Sequence, residues 1–218
     1  MSLHLQRDLE ALKKEVLQLG NLVESAINAA ILALNNRETE LADRVMQYEK
    51  EINDKEVHIE EECLKILALH QPVAVDLRFI VVVLKVNNDL ERMGDFAKNI
   101  AKRAIFLATQ TPIPIFHEFA VELPILVRTM VRKSLDALVS LDVDLARSVI
   151  RMDDQVDAIN REMYAEVQRI IHQDVSKAEI AMNLLSTSRY MERIADLSTN
   201  IAEDVMFMVD GRVFRHVD

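Results

Sequence analysis

A twelve-residue motif occurs twice in the chain and fixes much of its organisation. Residues 90–101 read LERMGDFAKNIA and residues 191–202 read MERIADLSTNIA. The two copies lie 101 residues apart and share six of twelve positions, three of which are charged. Shorter matches at an offset of 104 residues, such as Leu41-Ala42 and Leu145-Ala146, extend the repeat upstream. The chain is therefore predicted to consist of two copies of one unit.

The pattern of apolar residues predicts that each unit is helical. Apolar side chains recur at steps of three and four residues over most of the 218 positions. Only 3 Gly and 4 Pro are present, too few for the turns of a sandwich or a barrel. We predict an all-α fold of two tandem three-helix bundles with a pseudo-twofold internal repeat. The long antiparallel helices, most of about 25–35 residues, divide into bundles at 1–110 and 111–218.

Local signals place the ends of the six helices. The stretch Phe79–Val86 is rich in β-branched residues, but it lies inside one unbroken segment and is predicted to be helical. The remaining signals are N-caps at Thr39 and Asp142, a first-turn proline at Pro72, a capping box from Ser176 to Glu179 and a C-terminal stop at Gly211.

Acidic side chains follow one another at one-turn spacing on the second and third helix of each unit. Like charges at this spacing destabilise a helix by about 0.2–0.5 kcal/mol, so a solvated surface has no reason to keep the pattern twice. Facing rows of carboxylates repel unless a cation lies between them, and oxygen ligands suit Mg, Ca, Mn or iron. The candidate metal ligands are Glu49, Asn53, Glu91 and Asp95 in the first unit, and Asp153, Asp157, Glu192 and Asp196 in the second.

Two other interpretations of these rows remain open. Bases lie close in sequence, such as Lys98 after Asp95 and Arg189 before Glu192, so the rows could form an ordinary charged surface on a helical scaffold. A ferritin-like di-iron oxidoreductase also uses long helices and carboxylates. That class requires Glu-x-x-His pairs, and the sequence contains none.

Composition excludes several further classes. The net charge of −10 argues against a nucleic-acid partner, which needs a basic face. No phosphate-binding loop or nucleophile motif occurs, and we predict a protein that is not an enzyme. Cys63 is the sole cysteine and indicates a reducing compartment. The charged start lacks the order of a signal peptide, and the run FIVVVL is too short to span a membrane. A cytoplasmic protein, at most peripheral to a membrane, is predicted.

The motifs together resemble those of the PhoU family. Both copies of E-R-x-x-D-x-x-x-N-I-A contribute, and the first unit extends the match as HQPVAVDLRFIVVVLKVNNDLERMGDFAKNIAKR from His70 to Arg103. The resemblance implies a cytoplasmic, all-helical negative regulator of the phosphate-starvation response. Such proteins connect the phosphate ABC transporter with a membrane sensor histidine kinase and often form homodimers. The family also implies bound metal, iron or zinc first, with manganese or magnesium as alternatives.

The family pattern carries over unevenly to the two units. The acidic motifs match throughout, except that Asn53 lies where an acid is usual, which predicts a weaker first site. The second unit reads HQDVSKAEIAM and lacks the QPVA-x-DLR signature. We therefore expect the partner-binding surface mainly on the first unit, with Asp76 and Arg78 as candidate contacts.

Overall fold

The computed structural model describes residues 3–211 and contains six long α-helices. No strand occurs among these residues, so the predicted all-α fold is confirmed, including a helix through Phe79–Val86. The helices are α1 (Leu3–Asn36), α2 (Thr39–His70), α3 (Val75–Ala108), α4 (Leu123–Ser140), α5 (Val143–Gln173) and α6 (Ala178–Asp210).

Two of the predicted helix ends are confirmed. Asp142 precedes α5, and its side chain accepts a hydrogen bond from the backbone N–H of Leu145 at 2.9 Å. This bond satisfies one of the N–H groups that a helix start leaves unpaired. Gly211 ends α6 with a φ of 70°, a left-handed conformation that glycine adopts without strain.

The start of α3 differs from the prediction. Gln71 closes α2 in a left-handed conformation, and its N–H donates to the carbonyl of Leu67 at 3.2 Å. The chain has therefore already turned before Pro72, which lies in the connection rather than in the first turn of the next helix. Helix α3 begins only at Val75, after Ala74 with a φ of 50°.

The caps predicted at Thr39 and Ser176 are also wrong. Thr39 is the first helical residue of α2 and follows Glu38, which makes no side-chain cap. In the segment before α6 the side-chain cap is Asp174, whose carboxylate accepts from the N–H and hydroxyl of Ser176 at 3.0 and 2.6 Å, whereas Lys177, directly before α6, makes no side-chain cap. A short 3₁₀ turn, Val175–Lys177, precedes α6. Because Ser176 lies inside this turn, the side chain that caps it comes from the residue before the turn, Asp174.

The fourth helix is shorter than the other five. It has 18 residues, whereas the others have 31 to 34. Residues 111–116, which contain two prolines, are not helical, and a π-helical turn at Glu118–Glu122 leads into α4. The division at residue 110 stays a prediction.

The buried positions repeat between the units at the offsets found in the sequence. In α2 and α5 the shared positions lie 104 residues apart, and in α3 and α6 they lie 101 apart. Matching pairs that are both buried include Val45 and Val149, Ile52 and Val156, Ile66 and Ile170, Leu90 and Met191, Met93 and Ile194, and Ile100 and Ile201. The two units therefore use equivalent faces to build one continuous hydrophobic core.

Helices α3 and α6 join the two units and run antiparallel. The Nζ of Lys85 lies 2.6 Å from the Oδ1 of Asp204 at one end of the contact. At the other end Arg103 donates to the side-chain oxygen of Asn183 at 3.1 Å. Among the described helices, only α1 is long and apolar enough to cross a membrane. Of the 18-residue apolar stretch that meets this criterion, however, 56% is buried in the fold.

Candidate metal centre

Four carboxylates of the second unit lie at the contact between α5 and α6. We call Asp153, Asp157, Glu192 and Asp196 the second cluster. Burial, followed by the charges of Asp196, Asp157 and Glu192 in that order, raises the pKa of Asp153 from 3.8 to about 6. Burial followed by the negative charge of Asp196 also raises the pKa of Glu192. The predicted rows therefore face each other across the two helices.

The positive charges of Arg189 and Arg193 oppose the negative charge of the second cluster only in part: they act to lower the pKa of Glu192, and Arg193 that of Asp196, but the pKa of each carboxyl stays raised. The Oδ1 atom of Asp153 is buried and has no hydrogen-bond partner. Within residues 3–211, none of the four carboxylates forms an ion pair with a lysine, an arginine or a histidine. Buried, unpaired carboxylate oxygens cost free energy unless a cation or donor binds them. The donor chemistry therefore fits a hard cation.

The carboxylates are close enough to interact, but they do not form a closed cage. In the part of the chain that the structure describes, no group of three acidic, His or Cys side chains is arranged to hold a metal ion. The helix backbones place the two rows side by side, and convergence of their oxygens requires rotation of the side chains. Metal ligation therefore remains a prediction for all eight candidate residues.

The equivalent residues of the first unit have a different environment. We call Glu49, Asn53, Glu91 and Asp95 the first cluster. Glu49 Oε1 lies 2.6 Å from the Nζ of Lys98 and also accepts a hydrogen bond from Asn53 Nδ2 at 3.0 Å. The bond from Lys98 lowers the pKa of Glu49, whereas burial and the charge of Asp95 raise the pKa of Glu91.

The candidate partner residues lie at the start of α3. Asp76 lines an apolar cavity of about 320 Å³ between α1, α3, α4 and α6. Arg78 donates to the backbone oxygen of Met208 at 3.3 Å, and its guanidinium lies 5.7 Å from the ring centre of Phe207. Arg78 therefore contributes to the contact between the two units.

Among the ion pairs that the sequence interpretation missed, two involve α3. Lys98 was paired with Asp95, its neighbour in sequence, but that distance is 3.9 Å and the shorter contact reaches Glu49 on α2. A position-by-position comparison of the two repeats could have indicated it, because Thr199 is the equivalent of Lys98. The ion pair between Lys85 and Asp204 joins the two units, and comparing the two repeats does not predict it.

The fold and the acidic helix faces define a class of protein: an all-α protein of two homologous three-helix units. The sequence profile of the PhoU domain matches the chain twice, at residues 16–104 and 123–205. The chain therefore belongs to the PhoU family.

Relatives and solved structures agree with this assignment. The chain is 37% identical over 210 residues to a protein from Pseudomonas aeruginosa named phosphate-specific transport system accessory protein PhoU homolog, covering 96% of this chain and 87% of that protein. It is 34% identical to the Escherichia coli PhoU accessory protein, again over 96% and 87% of the two chains. The crystal structure of PhoU from P. aeruginosa superposes with a TM-score of 0.92 at 36% identity, over 95% and 99%.

Proposed function

We propose that this protein is a negative regulator of the phosphate-starvation response. In this role it acts in the cytoplasm as a non-enzymatic adaptor between the phosphate ABC transporter and a sensor histidine kinase. The main support is the match of the PhoU domain to both units, together with relatives named as accessory proteins of phosphate-specific transport. The predicted homodimer is part of this proposal.

The α2–α3 connection is the proposed contact surface for the transporter. It carries the QPVA-x-DLR signature, and three apolar side chains around it are exposed: Leu69 at 68%, Val73 at 74% and Val75 at 65%. Exposed apolar side chains that lie together are typical of protein interaction sites. Asp76 follows them directly and adds a charge at the edge of this surface.

The second cluster is the proposed metal site. Asp153, Asp157, Glu192 and Asp196 would hold the ion, and the buried, unpartnered oxygen of Asp153 supports this assignment. When bound, the metal supplies positive charge that neutralises the carboxylates and ties α5 to α6. Iron or zinc is proposed, with manganese or magnesium as alternatives. A helical scaffold with a solvated acidic face is the competing interpretation.

Expression of phosphate-starvation genes tests the regulatory role. Deleting the gene is expected to switch these genes on in phosphate-rich medium, and the wild-type chain supplied in trans should restore repression. A variant with Val73→Asp and Val75→Asp should fold normally but fail to restore it, because charges oppose apolar docking. Unchanged expression in the deletion strain would contradict the proposal.

Metal analysis of the purified full chain separates the metal site from the scaffold interpretation. The wild-type protein, loaded with Zn²⁺, Fe²⁺ or Mn²⁺ and dialysed, should retain metal. The variant Glu192→Gln/Asp196→Asn should lose it, whereas Asp154→Asn, an exposed neighbour on α5, should not. Absence of bound metal under all three conditions would favour the scaffold.

A further inference from the structure

A lysine side chain lies inside the first cluster. The Nζ of Lys98 on α3 reaches across to α2 and lies 2.6 Å from the Oε1 of Glu49. The same ammonium is 3.9 Å from the Oδ1 of Asp95 on its own helix. Lys98 therefore contacts one carboxylate from each of the two rows. This is the position that a ligated cation takes between two rows of acids.

The ammonium and a metal ion compete for the same atoms. Glu49 Oε1 already accepts hydrogen bonds from Lys98 and from Asn53 Nδ2, at 2.6 and 3.0 Å. A divalent ion bound to Glu49 would lie within a few ångströms of the ammonium, and the two positive charges would repel strongly there. Asn53 also removes one negative charge that a metal would require.

The second unit has no equivalent of this lysine. The residue 101 positions after Lys98 is Thr199, and its hydroxyl donates to the backbone oxygen of Asp196 at 2.7 Å. The same comparison aligns Lys102 with Glu203. Since Asn53 corresponds to Asp157, the first cluster has three carboxylates beside a lysine, whereas the second has four and a threonine.

We propose that Lys98 takes the place of a metal ion in the first cluster, so that the protein loads metal in the second unit alone. The proposal builds on the metal site put forward above for the second cluster. In it, Lys98 is the residue that determines which of two homologous sites binds metal. The ammonium is a permanent internal cation, and it ties α2 to α3 in the way that a metal ties α5 to α6.

Exchange of the equivalent residues tests this role in the full chain. Chelator-stripped protein is incubated with Zn²⁺ or Mn²⁺ and dialysed, and bound metal per chain is measured. The amount of metal bound per chain should be the same in Glu49→Gln as in the wild type. In Asp157→Asn/Asp196→Asn the bound metal should be lost. The variant Asn53→Asp/Lys98→Thr should bind about twofold more metal than wild type, because both clusters then have four carboxylates and a threonine in place of the lysine. The reverse change, Thr199→Lys, should abolish metal binding by the second cluster.

Two outcomes would overturn the proposal. One is that the wild-type chain binds metal and the Glu49→Gln variant does not. The other is a folded Asn53→Asp/Lys98→Thr variant that gains no metal, with folding checked by circular dichroism. If the wild-type chain binds no metal, the metal site in the second unit is refuted, and the gain in Asn53→Asp/Lys98→Thr still decides the role of Lys98.

Melting temperatures without metal give a second measurement. In chelator, Lys98→Thr should lower the melting temperature, because it removes the ammonium that contacts Glu49 and Asp95. Thr199→Lys should raise it under the same condition by supplying the missing cation. Equal melting temperatures for these variants and the wild type would contradict the proposed role of the ammonium.

Discussion

Replacing Asp153 with Asn is expected to change stability in opposite directions without and with bound metal. Asn has nearly the same shape as Asp, so the substitution removes the charge and leaves the packing of α5 on α6 in place. The charge is unfavourable in the metal-free protein because Asp153 is partly buried and faces three other carboxylates. The same charge becomes a ligand when metal binds.

The size of the effect follows from the pKa of Asp153, which is raised from 3.8 to about 6. Two pH units correspond to about 3 kcal/mol at 1.36 kcal/mol per unit, and solvent screening of this partly exposed group reduces that to about 1–2 kcal/mol. A carboxyl whose pKa is higher in the folded than in the unfolded state binds more protons when folded. Stability therefore falls as the pH rises from about 4 to about 6, and the full penalty is present above that range.

Thermal unfolding in chelator measures this penalty. At pH 7.5 the Asp153→Asn variant should melt about 2–8 °C above the wild type, since 1 kcal/mol shifts a chain of this size by about 2–4 °C. At pH 3 the advantage should nearly vanish because the carboxyl is then largely protonated in both states. With metal at about 100 times its dissociation constant, the wild type gains about 2.7 kcal/mol that the variant lacks, and the order should reverse.

The control is Asp154→Asn on the exposed face of α5. Asp154 contributes least of the four neighbouring acids to the raised pKa of Asp153, so its removal should change the melting temperature little at either pH. A lower melting temperature for Asp153→Asn in chelator at pH 7.5 would refute the reasoning. It would mean that the carboxylate is stabilised in the metal-free protein.

Three further substitutions test the packing and the caps by urea unfolding. Lys85→Met should cost about 3 kcal/mol, because it leaves Asp204, only 2% exposed, without the ammonium 2.6 Å away. Adding Asp204→Leu should recover most of the loss, and no recovery would argue against an unpaired charge as the cause. Asp142→Ala should cost about 1 kcal/mol and Asp142→Asn much less, because Asn keeps the capping oxygen. Gly94→Ala should destabilise by about 1 kcal/mol, since its Cβ would lie 3.0 Å from the Cδ1 of Ile52. Ile52→Val should relieve that clash, and additive losses in the double variant would contradict it.

Much of the helical framework could be predicted from the sequence because it depends on local periodicity and on the repeat. The segment Phe79–Val86 shows why length was informative. Its β-branched residues favour a strand, but burial within a 34-residue helix outweighs this weak preference. The turns were less predictable. Ala74 adopts a positive φ before α3, and no residue type at that position signals such a conformation.

The candidate site could be predicted in its residues but not in its electrostatics. Spacing along one helix shows which acids share a face, and this indicated Glu49, Glu91 and Asp153. Spacing does not show which base reaches across from the neighbouring helix. Lys98 has a carboxylate three residues before it in sequence and another on α2, and the structure gives the shorter distance to the one on α2. That choice depends on how the two helices are placed, which local sequence does not determine.

The two units have kept one core while their polar faces have diverged. In the first unit Gly94 packs against Ile52, and the residues at the equivalent positions of the second unit are Ala195 and Val156. One methyl group has moved from the second helix of the unit to the third, so the summed volume of the two side chains is conserved. The acidic faces are not under this packing constraint, because a change of charge there does not alter how the helices fit. The two units therefore accommodate Lys98 and Thr199 at equivalent positions in the same fold, and differences in function between the units are expected on these faces rather than in the core.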